Sequence, residues 1–492
     1  MTLESGADSL RSSKEIRGSR GRNGSIRSSS YCMGASSLAE SLIEGITGAF
    51  EACVDRYVGF FRTRTRDCSA VARRYLRGLN QSETCTFEAM AAVVEEGCPQ
   101  QFQHFISNSP WAHEPVVAQI AHDADGLLGG KLDSGLIIDE TSFVKQGEQS
   151  VGVARQWCGR LGKIDNCQVA VLGVLSDGER YVPVDARLYL PKKWIEDPAR
   201  CERAGVPPEA RQLISKTAHA LDIVRTARAR GLRFGWVGVD AGYGKEPSFL
   251  RAVEDANEVF VADVHRTQRV WTEDPGLHVP DPVGPGKRRS SKLQAATTPV
   301  TVEKLANRLQ PQDWTRYVLR ESTRGPLRID VACRRVWVWD GEEQEARCWH
   351  LIIRRELGSP KTLKFTLSNA PADTPRLRLA QMQGHRYWVE RCFEDGKGEC
   401  GLADYQAQGW RAWHHHVTLV MLAMLFIAEQ RAAHNPGLAL LSARDIVDML
   451  KETLPRKPQG RDALAREINE RHQRRRDAIA SRFRHQQGPA PS

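Results

Sequence analysis

The 492-residue sequence lacks the patterns that mark zinc-binding and secreted proteins. None of its twelve cysteines forms a Cys-x-x-Cys pair, and the closest spacings, Cys392/Cys400 and Cys158/Cys167, match no zinc arrangement. No secretory signal precedes them, so we expect reduced, mostly buried thiols in a cytoplasmic protein. The longest apolar run, Val417–Ala428, is too short to span a membrane and predicts a core helix.

The middle of the chain also lacks a strong charge, although the formal net charge is +10. Residues 1–30 contain six basic residues against three acidic ones, and residues 456–484 contain ten against four. Nearly all of the excess positive charge therefore lies at the two ends. Basic ends are typical of mobile arms beside a polyanion, but they also suit simple solubility, and the sequence leaves both interpretations open.

Two apolar segments run directly into an aspartate, Leu136–Asp139 and Trp236–Asp240. The carboxyl end of a strand is a place where a polar side chain can be exposed at low cost to the backbone. The predicted elements follow the order β-β-β-α-β-α-β, and the two aspartates end the first and the fourth strand. This order predicts an α/β fold class with a ribonuclease-H-like mixed sheet.

A third acidic residue lies on a predicted helix that begins near Arg386. Arg386, Glu390, Glu394 and Lys397 recur on one face of this helix, a pattern that by itself is typical of a solvated surface helix. Together with the two strand-end aspartates, however, a helix carboxylate completes the three acidic ligands that a two-magnesium phosphodiester site needs.

Composition and periodicity divide the chain into five parts. In chain order, with the α/β domain in two pieces around the insertion, they are a disordered basic tail (1–35), a helical DNA-binding domain (36–128), a ribonuclease-H-like catalytic domain (129–266 and 376–435), a β-rich insertion (267–375) and a basic helical C-terminal tail (436–492). The insertion includes a basic loop, Lys287–Lys292, which we expect to be flexible.

The motifs in these segments resemble those of bacterial insertion-sequence transposases of the Asp-Asp-Glu type. The motifs that carry the resemblance are Ile138–Gly147, Ser150–Arg155, Val239–Gly244 and Glu390–Leu402. The most similar branch has the signature Tyr-x2-Arg-x3-Glu-x6-Lys. Arg386, Glu390 and Lys397 fit its spacing, whereas Gln383 stands at the tyrosine position. The resemblance covers most of residues 36–435.

The resemblance implies that Asp139, Asp240 and Glu390 are the catalytic residues. They would hold two Mg²⁺ ions, for which Mn²⁺ would substitute. It also implies that Arg386 and Lys397 bind phosphates of the DNA end.

Other residues near these motifs have weaker signals. Trp271 and Trp314 lie in the insertion, where related enzymes handle unpaired end bases, and an indole can stack on such a base. Glu140 is predicted to face away from Asp139, and Glu394 to pair with Arg391 or Lys397, so neither glutamate is assigned to the triad.

The sequence therefore predicts a metal-dependent transposase that binds the ends of its insertion sequence, cleaves the strands and joins them to target DNA. The expected partner is double-stranded DNA, with a dimer on paired ends, no membrane, and a place on the nucleoid in the cytoplasm. Two alternatives stay open. One is a decayed or domesticated transposase that only binds DNA, and the other is a plain ribonuclease-H-like nuclease, which would lack the insertion and the amino-terminal helices.

Overall fold

The structure of the protein is a computed structural model that describes residues 29–281, 292–320, 325–357, 359–435, 438, 440–458 and 460–486. Most of the predicted basic tail (1–35) and of the basic loop Lys287–Lys292 lies outside the described residues.

The helices are α1 (Ser29–Tyr57), α2 (Ser69–Gln81), α3 (Phe87–Val93), α4 (Pro99–Ser107), α5 (His113–Leu128), α6 (Lys192–Ile195), α7 (Pro198–Arg203), α8 (Lys216–Ala229), α9 (Ala241–Gly244), α10 (Pro247–Asp255), α11 (Val302–Ala306), α12 (Arg376–Gly384), α13 (Tyr387–Glu399), α14 (Trp410–Ala433), α15 (Ala443–Thr453) and α16 (Arg461–Gln486). The strands are β1 (Gly135–Val144), β2 (Ala154–Cys158), β3 (Lys163–Ser176), β4 (Tyr181–Leu188), β5 (Val237–Val239), β6 (Phe260–Val264), β7 (Arg269–Val270), β8 (Leu277–His278), β9 (Gln294–Ala295), β10 (Val300–Thr301), β11 (Thr315–Arg320), β12 (Leu327–Val338), β13 (Arg347–Glu356) and β14 (Ser359–Ser368).

Ten of the described strands form one mixed sheet in the order β11-β12-β13-β14-β6-β5-β1-β3-β2, and β4 also pairs with β3. The strands β1, β5 and β6 are parallel neighbours, while β3 runs antiparallel to β1 and β4 antiparallel to β3. The arrangement β4-β3-β1-β5-β6 confirms the predicted α/β class with a ribonuclease-H-like mixed sheet. The strand β1 lies between β5 and β3, and its consecutive residues Leu136, Ile137 and Ile138 are all buried, so both faces of the sheet are covered there.

The β-rich insertion extends this sheet. The strand β14 pairs antiparallel with β6, and this pairing sets Thr366 opposite Asp263. The strands β13, β12 and β11 follow β14 in antiparallel order. The sequence did not lead us to predict β14, although Leu363, Phe365 and Leu367 alternate with polar residues. Because β14 joins the insertion to the core, side chains of the insertion lie beside the predicted catalytic strands.

The helix α14 forms the centre of the helical layer and packs against α4, α5 and β4. Of the helices in the described chain, it is the one long and apolar enough by composition to cross a membrane, and 78% of that apolar window is buried inside the protein. The apolar run Val417–Ala428 therefore lies in a core helix, as its length predicts.

One apolar core joins the amino-terminal helices to the sheet. The ring of Phe50 on α1 contacts Phe426 on α14 edge-on, with ring centroids 5.3 Å apart. Beyond residue 436, the helix α15 buries Ile446, Val447 and Leu450 at helical spacing and packs against α1 and α2. Residues on both sides of the predicted boundaries at 128 and 436 therefore share one apolar core.

Candidate active site

Three aspartates lie at the same level of three adjacent parallel strands. The residue before Asp139 is paired with the residue before Asp240, and that residue is paired with the one before Asp263. Equivalent positions of parallel strands direct their side chains to the same side of a sheet. The register of β1, β5 and β6 therefore places the three carboxyl groups side by side.

Asp240 ends β5 and begins the short helix α9. Its Oδ1 accepts hydrogen bonds from the backbone N–H groups of Gly242, at 2.9 Å, and Tyr243, at 3.2 Å, which is the action of a helix N-cap. Gly244 closes this turn, since a Cβ there would lie 2.0 Å from the backbone oxygen of Asp263. The motif Val239–Gly244 thus orients Asp240 and lets α9 pack directly against β6.

Asp139 lies within β1, because this strand continues to Val144 and does not end at the aspartate as the sequence predicted. Its Oδ1 accepts a hydrogen bond of 2.7 Å from the backbone N–H of Glu140. Burial, and then the negative charge of Asp240, raise the pKa of Asp139 to about 7. The raised pKa indicates that Asp139 is poorly solvated and lies close to the charge of Asp240, so additional positive charge there would be stabilising.

The guanidinium of Arg386 joins the acidic groups to one another. Its Nη2 donates to Oε1 of Glu390 at 2.7 Å and its Nη1 to Oδ2 of Asp139 at 3.2 Å. Its Nε forms an ion pair with Oδ2 of Asp263 at 3.0 Å. Burial alone would lower the pKa of Arg386, but the surrounding carboxylates outweigh burial and raise it. Arg386, at the start of α13, therefore links Glu390 of the same helix to the aspartates of the parallel strands.

The two glutamates excluded from the triad have partners elsewhere. Glu140 forms an ion pair with Lys216 at the start of α8. Glu394 pairs with Arg391, with Oε2 and Nη1 2.8 Å apart, which is one of the two partners that its spacing allowed. These contacts leave Asp139 and Glu390 as the predicted acids that contact Arg386, while Asp240 acts on the guanidinium through its charge.

Lys397 lies two turns farther along α13 than Glu390. Its Nζ is 5.8 Å from the centre of the Phe143 ring on β1. Burial lowers the pKa of Lys397 to about 8, and the positive charge of Arg160 contributes in the same direction. The amine is therefore still mostly protonated at neutral pH, and its role in DNA binding stays a prediction.

The two predicted DNA-stacking tryptophans have protein neighbours. Trp271 is 7% exposed, its indole N–H donates to the carbonyl oxygen of Thr297 at 2.9 Å, and its backbone pairs with Trp337. Trp314 is half-buried, with the guanidinium of Arg355 4.1 Å from its ring centre. Trp271 would have to leave this position to stack on a base, so the structure places it in the packing of the insertion.

Several arginines of the amino-terminal helices form ion pairs with neighbouring acidic residues. Arg73 and Arg77 both pair with Glu51, and Arg74 pairs with Glu96. Ion pairs of this kind reduce the charge that a helix presents to a phosphate backbone. DNA binding by residues 36–128 therefore stays a prediction that would depend on the other basic residues of the module.

The acidic site suits a hard divalent cation by donor type, because Mg²⁺ prefers carboxylate oxygens. Asp139 and Asp240 already share a site that a cation would stabilise. Within the described part of the chain, however, no three His, Cys, Asp or Glu side chains form a compact ligand set. Arg386 supplies positive charge beside Asp139 and Glu390 instead, so a cation at these carboxylates would replace the contacts of its Nη1 and Nη2 groups.

Asp263 is a site residue that we did not predict from the sequence. Its segment, Val259–Asp263, is a further apolar strand that runs into an aspartate, so the signal that identified Asp139 and Asp240 was also present here. The contact that distinguishes it, the ion pair with Arg386, depends on tertiary structure.

Comparisons with known proteins identify the family of this chain. A profile of the DDE superfamily endonucleases matches residues 56–326, which include Asp139 and Asp240. The chain is also 25% identical over 359 residues to the probable transposase for insertion sequence element IS701 of Microchaete diplosiphon, a match that covers 72% of this chain and 81% of that relative. Since the profile spans more than half of the chain, the protein belongs to the DDE superfamily of endonucleases, and the resemblance to insertion-sequence transposases of the Asp-Asp-Glu type that its motifs predict is confirmed.

Proposed function

We propose that the protein is a metal-dependent transposase that binds the ends of its insertion sequence, cleaves the DNA strands and joins them to target DNA. The observation that carries this proposal is the convergence of Asp139 and Glu390 on the guanidinium of Arg386, with Asp240 beside Asp139. Membership of the DDE endonuclease superfamily and the similarity to a probable insertion-sequence transposase support it.

Asp139, Asp240 and Glu390 are the proposed metal ligands, with two Mg²⁺ ions as the physiological cofactor and Mn²⁺ as a substitute. Bound divalent ions supply activation of the attacking hydroxyl and stabilisation of the leaving oxygen of a phosphodiester. The protein contributes orientation, because the N-cap contacts of Asp240 and the backbone contact of Asp139 hold both carboxylates in place before any substrate binds.

Arg386 and Lys397 are the proposed phosphate contacts. A guanidinium binds a phosphate through two parallel hydrogen bonds, so the Nη1 and Nη2 groups that now face Asp139 and Glu390 suit an end phosphate equally well. Lys397 lies about 16 Å from Arg386 along the axis of the same helix. This distance allows Lys397 to contact the backbone of the same DNA end farther from the cleaved bond.

Strand joining requires that two DNA ends and a target lie together, so we propose a dimer on paired ends with double-stranded DNA as its partner. The ten basic residues against four acidic ones in residues 456–484 support contact with DNA outside the active site. A place on the nucleoid in the cytoplasm follows from this activity.

The test uses purified full-length protein, labelled end DNA, Mg²⁺ and a supercoiled target plasmid, with Asp240→Asn protein as the matched control. We expect Mg²⁺-dependent cleavage at the ends followed by joined products, and neither with the control. Cleaved ends that never join, in Mg²⁺ or Mn²⁺, would indicate a plain nuclease. End binding without cleavage would indicate a domesticated DNA-binding protein, and either result would overturn the proposal.

A further inference from the structure

Gln383 occupies the position at which the related signature has tyrosine, and it makes a specific internal contact. It lies near the end of α12 and is 4% exposed. Its Nε2 donates a hydrogen bond of 2.7 Å to Oγ1 of Thr366, a fully buried residue of β14. Its amide oxygen has no hydrogen-bond partner in the described part of the chain, so the contact with Thr366 is the one that orients the side chain.

The hydroxyl of Thr366 also forms a hydrogen bond with Asp263. Its Oγ1 donates to Oδ1 of Asp263 at 2.6 Å, across the β14–β6 pairing that sets the two residues opposite each other. An ionised carboxylate can only accept hydrogen bonds. Thr366 must therefore donate to Asp263 and accept from Gln383, so the direction of both hydrogen bonds is determined.

The second oxygen of Asp263 faces the active site. Oδ2 is 3.0 Å from Nε of Arg386, and Asp263 is the strongest of the four carboxylates that stabilise the charge of that guanidinium. The chain of contacts Gln383–Thr366–Asp263 therefore ends on the one edge of Arg386 that does not face a predicted metal ligand.

We propose that Asp263 is a positioning residue, which retains Arg386 beside the active site when divalent cations bind Asp139 and Glu390. Thr366 and Gln383 orient the carboxylate of Asp263 for this contact. This inference rests on the proposed function, because it assigns Asp139 and Glu390 to the cations. Entering cations compete with the Nη1 and Nη2 groups for these two carboxylates. The contact of Nε with Asp263 lies outside that competition and keeps the guanidinium within reach of an end phosphate.

The proposal predicts how metal affinity depends on a residue that is not a ligand. Without Asp263, the carboxylates left to Arg386 are those that the cations need, so the guanidinium competes more strongly with them. Partners that orient metal-site residues typically change metal affinity by about 10–100-fold. We therefore expect Asp263→Asn to raise the Kd for Mn²⁺ about tenfold in full-length protein without DNA, measured by electron paramagnetic resonance of unbound Mn²⁺.

Two further substitutions test the contacts behind Asp263. Thr366→Val removes the hydroxyl at nearly constant shape and should weaken Mn²⁺ binding in the same direction, whereas Thr366→Ser keeps the hydroxyl and should bind Mn²⁺ like the wild type. Gln383→Met removes the donor and keeps an unbranched side chain of similar size, so a smaller effect of the same sign is expected. Thermal unfolding of each variant identifies those in which the fold itself is damaged.

A double-substitution cycle separates positioning from direct ligation. In an Arg386→Met protein, Asp263→Asn should leave Mn²⁺ affinity unchanged, because its effect acts through the guanidinium. An equal loss of affinity in both backgrounds would make Asp263 a ligand, and no loss in either would make its role structural; both results overturn the inference. Asp240→Asn serves as the reference. If it binds Mn²⁺ as tightly as the wild type, the metal assignment of the proposed function fails, whereas a weakened Asp240→Asn protein with no coupling between Asp263 and Arg386 refutes only the positioning role.

Discussion

Asp139 and Asp240 directly follow two residues that are paired across adjacent parallel strands, and this pairing puts both carboxyl groups in one site. The consequence is visible at Asp139, whose pKa is raised to about 7 by burial and then by the charge of Asp240. Their motifs lie far apart in the chain, so the β1–β5 pairing is what brings the two aspartates into one acidic centre.

The first prediction concerns the triad. Asp139→Asn, Asp240→Asn and Glu390→Gln each remove one negative charge at nearly constant shape. Each should reduce Mg²⁺-dependent end cleavage at least about a thousandfold, which corresponds to a loss of about 4 kcal/mol of transition-state stabilisation. Binding of end DNA, measured by electrophoretic mobility shift, should remain close to that of the wild type.

Matched controls for the triad are available next to two of its members. Glu140→Gln and Glu394→Gln remove a carboxylate whose partner is Lys216 or Arg391, and both proteins should retain cleavage. A triad variant that still cleaves end DNA at more than a trace would have to be removed from the catalytic set.

The second prediction is a pH dependence of stability from the histidines of α14. His415 and His416 are buried, and burial lowers the pKa of each to about 3. Nε2 of His416 lies 3.0 Å from the carbonyl oxygen of Gly401, and Nδ1 lies 2.9 Å from the hydroxyl of Tyr75. A neutral ring that donates through Nε2 and accepts at Nδ1 satisfies both partners, which explains why His416 is a core residue.

The sign follows from the lowered pKa values. Below the ordinary histidine pKa of about 6.5, the unfolded chain binds protons that the native protein excludes, so stability is complete above that pH and decreases as the pH falls toward about 3. At about pH 5.5, each of the two residues should cost about 1.4 kcal/mol. Urea unfolding of His416→Gln should show lower stability at about pH 8 but a smaller loss on acidification; an unchanged loss would contradict the burial of a neutral ring.

The third prediction concerns Trp271, which the structure places in the packing of the insertion. Trp271→Ala should lower the free energy of unfolding by about 3–5 kcal/mol, because it removes a buried indole. Trp314→Ala is the matched comparison and should cost less, since Trp314 is half-buried and mainly loses its contact with Arg355. A Trp271→Ala protein of normal stability that fails in end processing would instead favour the stacking on DNA that its position in the sequence predicts.

The fourth prediction tests the C-terminal helix α16. Arg475 and Arg476 are exposed on this helix. If they contact phosphates, replacing both by Gln should weaken binding to end DNA and to unrelated DNA alike, and should reduce the slope of log K against log salt by about 0.9 for each lost contact. Fluorescence anisotropy over a range of salt concentrations measures this slope. An unchanged slope would favour the alternative interpretation, in which the basic tail only aids solubility.

The sequence by itself determined the fold class and the family. The apolar segments that run into Asp139 and Asp240, and the helical spacing of Arg386, Glu390 and Lys397, are local patterns that arise from backbone geometry of period 2 and period 3.6. Such patterns can be recognised without knowing what packs against them, which is why the mixed sheet and the DDE relationship were predictable. Tertiary structure then brought Asp139 and Glu390 to Arg386.

Only the tertiary structure decided how the rest of the site is built. Asp263, like Asp139, follows an apolar segment in the sequence, but its importance comes from Arg386, which contacts it although the two residues lie far apart in the chain. The role of Gln383 depends on β14, because the pairing of β14 with β6 places Thr366 between Gln383 and Asp263. The physical reason is the same in each case: contacts between residues distant in sequence follow from strand register and helix packing, and no local pattern encodes them.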